Sequence, residues 1–212
     1  AELRGGLVLD HQLDRRAVQQ EIRWFENNPK YWRRLESRIQ NYLPYILERI
    51  LEKDLPAELA LLPIIESALD PYAFSPYGAN GLWQFMAPTA KQYGLQINAN
   101  YDGRRDLITS TDAALTYLTR LNKRFDNWLL AVAAYNAGGG TVSKAIRRGD
   151  SKDFFALKLP RETRAYVPRL LAMAAIVKNP AKYNVQLPNV VMQKNFFILS
   201  LPGQFDVAKL VE

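Results

Sequence analysis

One short segment, residues 127–136, is almost wholly apolar and limits the possible folds more than any other part of the chain. Its sequence is NWLLAVAAYN, and three consecutive glycines follow at positions 138–140. A helix that is apolar on every side has to be enclosed by other elements. A glycine just beyond the last helical residue is a common helix end. The segment therefore predicts a central, buried helix.

Amphipathic segments that could enclose this helix occur along most of the chain. Apolar residues recur at helical spacing in residues 14–25, 29–50, 110–125 and 161–178. The tripeptide Asp54-Leu55-Pro56 is typical of a helix start, and the helix that it predicts carries Glu66 near its end. These patterns predict a mainly α fold.

The composition excludes several kinds of site. The chain has no cysteine, so thiol nucleophiles, disulfides and thiolate metal sites are excluded. The single histidine, His11, is expected in a solvent-exposed loop near the N-terminus. A Ser-His-Asp triad would depend on His11, and His-rich zinc sites are excluded. Carboxylate chemistry remains, and we expect neither a metal nor a cofactor.

The carboxylate with the most distinctive surroundings is Glu66, which directly follows an apolar run at residues 61–65. An apolar setting penalises the ionised form, so such a carboxyl tends to remain protonated near neutral pH. A protonated carboxyl that faces a cleft can deliver its proton to a leaving oxygen. The alternative is a surface glutamate at the end of a core helix, which is the commoner position for a lone Glu.

The segment after Glu66 is rich in glycine, amide and aromatic groups. Residues 78–84 read GANGLWQ, and rings crowd the same region at Tyr72, Phe74, Tyr77, Trp83 and Phe85. Aromatic faces suit the apolar C–H faces of sugar rings, and the Gln84 amide can both donate and accept hydrogen bonds. A carboxyl acid beside such a loop predicts a site for glycosidic-bond chemistry.

Three motifs occur in the order typical of one enzyme family. Glu66-Ser67, then Ser75 and residues 78–86 (GANGLWQFM), are followed by residues 134–138 (AYNAG) and residues 162–167 (ETRAYV). This series resembles the lytic transglycosylase SLT-domain family, relatives of goose-type lysozyme. Three motifs in order are far more specific than any one alone.

The resemblance implies a domain organisation. A lysozyme-like (goose-type) helical catalytic domain would span residues 56–187, with residues 1–55 as an N-terminal helical extension packed on it. Residues 188–212 have a strand-like composition. They are expected to form a short extended tail or linker of the kind that leads to a wall-binding module.

The resemblance also implies a reaction. Peptidoglycan would be cleaved at the β-1,4 bond between N-acetylmuramic acid and N-acetylglucosamine without water, leaving a 1,6-anhydromuramyl end. Glu66 would act as acid and then as base, because no second carboxylate stands out beside it. By their positions in the motifs, the resemblance implies that the residues lining the substrate site are Ser75, Gln84, Met86, Tyr135, Asn136 and Tyr166.

For Ser75 and Tyr166 the family resemblance implies more specific roles. Ser75 would hydrogen-bond either the substrate N-acetyl group or Glu66, and the Tyr166 hydroxyl would orient Glu66. Two other functions remain open. One is a goose-type lysozyme, a hydrolase that shares the acid but admits water, and the other is a non-catalytic glycan-binding module.

The net charge of +7 originates between Lys144 and Lys182. A local basic face attracts polyanions, and the candidates are carboxylate-rich peptidoglycan stems or an anionic envelope surface. Nucleic acid is not expected, because no recognition motif accompanies the charge. A solvated helix face is the alternative. We expect a monomer in the bacterial periplasm or cell envelope, with a membrane anchor on the full-length protein left open.

Overall fold

The computed structural model describes residues 2–189, 193 and 196, and within them it is mainly α-helical, as predicted. The α-helices of this part are α1 (Glu2–Gly5), α2 (Arg16–Glu26), α3 (Pro29–Leu51), α4 (Leu62–Ser67), α5 (Ala87–Gln92), α6 (Leu107–Phe125), α7 (Trp128–Ala137), α8 (Gly139–Gly149) and α9 (Arg161–Lys178). Short 3-10 turns occur at Ala57–Leu61, Phe154–Ala156 and Pro180–Tyr183. Extended backbone pairing in the described residues consists of isolated bridges, two of them within the loop after Glu66.

Helix α7 lies at the centre of the fold, as its apolar sequence predicts. Residues 130–134 have no exposed surface, and the helix packs against α6, α8 and α9. The Asn127 side-chain oxygen accepts a hydrogen bond from the Leu130 backbone N–H at 3.1 Å, which caps the first turn. Gly138, with φ +84°, ends the helix beside the cleft described below.

The N-terminal helices share one hydrophobic core with the rest of the described chain. Helix α3 begins at Pro29, where a missing N–H costs nothing, and it continues through Pro44. Helix α2 buries Val18, Ile22 and Phe25 and packs along α9. The close packing of α2 on α9 brings part of the N-terminal region beside the third sequence motif.

The expectation that His11 lies in a solvent-exposed loop is wrong. His11 is only 7% exposed, and its Nε2 lies 3.1 Å from Oε1 of the fully buried Glu58. The same oxygen accepts a hydrogen bond from the Leu9 backbone N–H at 2.9 Å. A buried carboxylate needs such partners, and through them the N-terminal segment is attached to the turn that leads to α4.

The segment that carries Glu66 is a buried turn followed by a short helix. The helix predicted after residues 54–56 is present, but it starts as the 3-10 turn Ala57–Leu61 and becomes α-helical only at Leu62. Pro63 fits without bending the helix because it lies in the first turn of α4. Ala68 and Leu69 then adopt left-handed conformations and reverse the chain.

Two expectations concern regions beyond this helical body. The extended tail predicted for residues 188–212 lies outside the described residues except at positions 188, 189, 193 and 196. In the part of the chain that is described, no helix has the length and apolarity needed to cross a membrane.

Candidate active site

A cleft of about 780 Å³ opens between α4, the glycine-rich loop, the end of α7 and α9. The structure brings all the sequence-predicted site residues to its lining: Glu66, Ser75, Gln84, Met86, Tyr135, Asn136 and Tyr166. Glu66 and Tyr166 are 100 positions apart in the sequence, yet their side chains are in hydrogen-bond contact.

Glu66 stands at the last turn of α4, partly exposed to the cleft. Its surroundings raise its pKa from the ordinary 4.5 to about 7, and the main cause is burial, which removes water from the charged form. A hydrogen bond from Tyr166 Oη to Glu66 Oε1, 2.5 Å long, lowers the pKa, whereas the negative charge of Glu162 raises it. A substantial fraction of Glu66 is therefore protonated at neutral pH.

Two tyrosines flank Glu66 as neutral hydrogen-bond donors. Burial and the neighbouring Glu66 charge raise the pKa of Tyr135 and of Tyr166 well above the ordinary 10. The Tyr135 hydroxyl donates to the Trp83 backbone oxygen at 2.8 Å, so it ties α7 to the glycine-rich loop. Tyr166 instead directs its hydroxyl at Glu66, which is the contact that the resemblance implies.

The glycine-rich loop is closed by its own polar groups. Gln84, with φ +49°, donates from Nε2 to the backbone oxygens of Ala73 and Gly81, at 3.1 and 2.9 Å. Ser75 Oγ accepts from the Ala79 backbone N–H at 3.0 Å, which leaves its proton for another acceptor. Ser67 Oγ lies 2.9 Å from the Leu82 backbone oxygen and joins the loop to α4.

Arg104, which the sequence did not single out, anchors this loop from outside the cleft. It is 7% exposed, and its Nη1 donates to the backbone oxygens of Gly78 and Phe85 at 2.9 and 3.2 Å. Asp102 pairs with it at 2.7 Å and also accepts from the Asn80 side chain at 2.9 Å. The hydrogen bonds from Arg104 hold the pKa of Asp102 below its ordinary value. Asp102 therefore has a structural role in this loop.

The aromatic residues of the segment separate into two groups. Trp83 and Phe85 are buried, and the Trp83 indole N–H donates to Thr111 at 3.1 Å. Tyr72, Phe74 and Tyr77 are 74%, 66% and 87% exposed. The buried rings support the loop, and the exposed rings provide apolar surface beside the cleft, which Tyr77 itself lines.

The cleft contains a second carboxylate that did not stand out in the sequence. Glu162 lines the same cleft, where its Oε1 accepts from Asn136 Nδ2 at 3.1 Å. Asn136 Oδ1 in turn accepts from the Thr163 hydroxyl at 2.7 Å. Glu21 and Arg169, also absent from the predicted site, line another part of the cleft.

A signal for two of the missed residues is present in the sequence of α9. Positions 162, 166 and 169 are separated by four and three residues, so they share one face of a helix. Once Tyr166 is placed in the site, Glu162 and Arg169 follow. Glu21 has no comparable signal, because its approach depends on how α2 packs on α9. Among the residues that the structure describes, no group of three potential ligands could hold a metal ion.

Comparison with known proteins gives a matching family model and a close relative. The transglycosylase SLT domain model matches residues 48–157. The membrane-bound lytic murein transglycosylase D of Escherichia coli (strain K12) is 42% identical over 200 residues, which cover 92% of this chain and 44% of that protein. The chain thus spans less than half of the length of this relative.

Solved structures support the fold. The 70-kDa soluble lytic transglycosylase in complex with bulgecin A matches with a TM-score of 0.52 and 23% identity, covering 88% of this chain and 33% of that one. An inactive mutant of the lytic transglycosylase Slt from Pseudomonas aeruginosa matches with a TM-score of 0.51 and 24% identity, covering 71% of this chain and 26% of that one. The predicted lysozyme-like helical fold is confirmed by these neighbours.

The family resemblance that the three motifs indicated is confirmed as well. The matched residues include Glu66, the whole glycine-rich loop and the Tyr135-Asn136 pair, whereas α2 and α9 lie outside the match. Because the family model covers residues 48–157 of 212, more than half of the chain, this chain belongs to the transglycosylase SLT domain family.

Proposed function

We propose that this chain is a peptidoglycan lytic transglycosylase, which cleaves the β-1,4 bond between N-acetylmuramic acid and N-acetylglucosamine without consuming water. The observation that carries the proposal is the carboxyl of Glu66, with a pKa of about 7, facing the cleft and hydrogen-bonded to Tyr166. A general acid is most effective when its pKa lies near the working pH. Relatives named lytic murein transglycosylases support the choice of substrate.

The first step breaks the glycosidic bond. Protonated Glu66 gives its proton to the bridging oxygen, and the electron pair of the C1–O bond leaves with that oxygen. The positive anomeric carbon is stabilised by the oxygen of the substrate's own N-acetyl group, as in substrate-assisted glycosidases. The hydrogen bond from Tyr166 stabilises the Glu66 carboxylate that this step creates.

The second step closes the ring and restores the acid. The Glu66 carboxylate takes the proton of the muramyl C6 hydroxyl while that oxygen bonds to C1. The product is a 1,6-anhydromuramyl end, and Glu66 is protonated again for the next cycle. No water enters, so a single carboxyl acts as acid and then as base.

Other cleft residues bind and orient the glycan in this proposal. The Ser75 hydroxyl has a proton to donate to the N-acetyl oxygen, since its own oxygen accepts from Ala79. Met86, 43% exposed, and the exposed ring of Tyr77 provide apolar contacts for sugar faces. Gln84 acts chiefly through the loop that it closes, and Asn136 lines the cleft at the end of α7.

The presence of Glu162 in the cleft makes a hydrolase the second candidate. A second carboxylate can activate water in place of the C6 hydroxyl, and Glu162 is close enough to Glu66 to raise its pKa. A non-catalytic glycan-binding module is less favoured, because binding alone would not require a carboxyl with a pKa near neutrality.

The reaction products distinguish these candidates. After digestion of purified sacculi, we expect mass spectrometry to detect muropeptide ends lighter than reducing ends by one water. Reducing ends in their place would support the hydrolase, and the absence of either product would support the binding module. A digestion with the Glu66→Gln variant controls for contaminating enzymes.

The pH dependence of kcat/KM should respond in opposite directions to two cleft variants. Activity is expected to fall as pH rises through about 7, because the proton donor is then lost. This fall is the alkaline limb of the profile. Tyr166→Phe removes a hydrogen bond that lowers the pKa of Glu66, so the alkaline limb should move to higher pH. Glu162→Gln removes a charge that raises the pKa, so the limb should move to lower pH. Tyr117→Phe, in the same cleft, should leave the limb in place, and equal shifts in all three variants would contradict the assignment.

The proposed substrate implies where the protein works and what it meets. Peptidoglycan belongs to the bacterial cell envelope, so we place the domain in the periplasm or envelope as a monomer, with the mode of anchoring left to the full-length protein. The basic segment between Lys144 and Lys182 is the proposed contact with anionic envelope components. Arg169 is a member of that segment that also lines the cleft.

A further inference from the structure

One end of the cleft is built by helices α2 and α9 and has no part in the two chemical steps. Arg169 of α9 donates from Nε to Oε2 of Glu21 of α2 at 2.9 Å. The guanidinium also lies 4.8 Å from the centre of the Trp24 ring. Both charged residues line the cleft, and both lie outside the residues that the family model matches.

Helix α9 places opposite charges at the two ends of the cleft. Glu162, Tyr166 and Arg169 share one face of this helix. With a rise of about 1.5 Å per residue, Glu162 and Arg169 lie about 10 Å apart along the axis. Tyr166, which holds Glu66, stands between them. A glycan that presents its bond to Glu66 therefore has a carboxylate on one side and a guanidinium on the other.

The Glu21–Arg169 pair is not needed to dock α2. The apolar face of α2 already buries Val18, Ile22 and Phe25 against the core. The side chains of Arg169 and Glu21 remain 38% and 18% exposed, and an ion pair at such a position contributes little to folding. Because the Glu21–Arg169 pair is open to the cleft and adds little to folding, we infer that it serves to bind substrate.

We propose that Arg169 binds a carboxylate on the substituent that the glycan carries beside the bond to be cleaved, and so determines specificity for acidic strands. This inference rests on the proposed function. Within the described part of the chain, Arg169 bonds Glu21 through Nε, so the donors of its two terminal nitrogens face no protein acceptor there and can bind a ligand. A guanidinium fork suits a carboxylate, and stacking on Trp24 holds its plane in place. Glu21 is then a positioning residue that also competes with the ligand charge.

The test compares Arg169→Gln and Glu21→Gln on glycan strands with three kinds of substituent. The first strands carry intact peptide stems, the second are the same strands after carbodiimide-coupled amidation of their carboxylates, and the third have had their stems removed by an amidase. Arg169→Gln should raise KM about tenfold on intact strands, the loss expected for one charge-assisted hydrogen bond, with kcat little changed. On amidated strands it should have no effect.

Glu21→Gln should act in the opposite direction. It keeps a hydrogen-bond acceptor for Arg169 but removes the competing charge, so KM should fall on intact strands and stay constant on amidated ones. Arg23→Gln is the matched control, because Arg23 is exposed on α2, lies outside the basic segment and is not part of the cleft lining. Its KM should equal that of the wild type on every substrate.

In strands with intact stems the ether-linked acid of the muramyl residue is bound to the stem as an amide, so an effect of Arg169→Gln that is present on intact strands and lost on amidation assigns the carboxylate to the stem. The amidase frees the ether-linked acid. An effect that persists on the stem-free strands therefore shows that Arg169 reaches a carboxylate next to the sugar, and an effect that disappears places its ligand farther along the stem. Equal losses for both variants on intact and amidated strands would overturn the proposal and make the pair structural. Failure of the proposed function is a separate result, since the wild type would then give no anhydro ends from any strand.

Discussion

Glu66→Gln is expected to abolish turnover of peptidoglycan while leaving binding of the glycan intact. The amide keeps the shape of the side chain and still accepts the Tyr166 hydrogen bond, but it has no proton to deliver to the glycosidic oxygen. Loss of a general acid costs roughly 10²–10⁴-fold. Because the same group serves both steps here, we expect at least about 10³-fold. Release of anhydromuropeptides measures turnover, and sedimentation with sacculi measures binding.

Asp70→Asn is the matched control for this prediction. Asp70 is another carboxylate in the same segment, but it pairs with Arg38 at 2.8 Å and caps the turn at Tyr72. An Asn side chain can cap the same turn, so turnover should remain near that of the wild type. Unchanged turnover in Glu66→Gln would remove Glu66 from the acid role, and loss of binding together with turnover would indicate a misfolded cleft.

The same Glu66→Gln variant should be more stable than the wild type at alkaline pH. The pKa of Glu66 is about 7 in the folded state and 4.5 ordinarily, so the unfolded chain ionises first and the free energy of unfolding falls as pH rises from 4.5 through 7. In Glu66→Gln the side chain does not ionise, so its free energy of unfolding does not fall in this way. At pH 8 the variant should gain up to about 3 kcal/mol, and near pH 4 the two proteins should be equally stable. Urea denaturation at both pH values measures the difference.

The parts of this molecule that the sequence predicts are those governed by local patterns. The apolar run at residues 127–136 and its flanking glycines indicate the central helix, and the structure has it at Trp128–Ala137. The predicted helix over residues 161–178 has the same bounds in the structure. The motif residues from Glu66 to Tyr166 do line one cleft, because their spacing belongs to a family with a common fold.

The parts that the sequence did not predict depend on contacts between distant residues. His11 and Glu58 are 47 positions apart, and nothing in the local sequence of either indicates that they meet in the core. Glu21 reaches the cleft only because α2 packs along α9. The spacing of Glu162 from Tyr166 places both on one face of α9, but the approach of that face to Glu66 depends on how α9 packs against α4.

Gly81→Ala should destabilise the protein far more than the same change at Gly78. Both glycines belong to the loop after Glu66 and both have positive φ, +79° and +90°. A Cβ at Gly81 would lie 1.7 Å from the backbone oxygen of Arg104, whereas a Cβ at Gly78 would meet nothing within 4 Å. Left-handed strain of about 1–2 kcal/mol applies to both variants. Overpacking against rigid backbone adds about 1–3 kcal/mol or more at Gly81 alone.

The consequence for function follows from what the Gly81–Arg104 contact holds together. To make room for a Cβ at Gly81, the backbone at Arg104 has to move away from the loop. This movement weakens the hydrogen bonds that Arg104 donates to Gly78 and Phe85. The loop that presents Ser75 and Gln84 to the cleft then loses its anchor, so Gly81→Ala should lose turnover even at temperatures where it remains folded. Urea denaturation and anhydromuropeptide release, measured on both alanine variants, test this prediction. A Gly81→Ala protein as stable and as active as Gly78→Ala would mean that the loop does not depend on its close approach to Arg104.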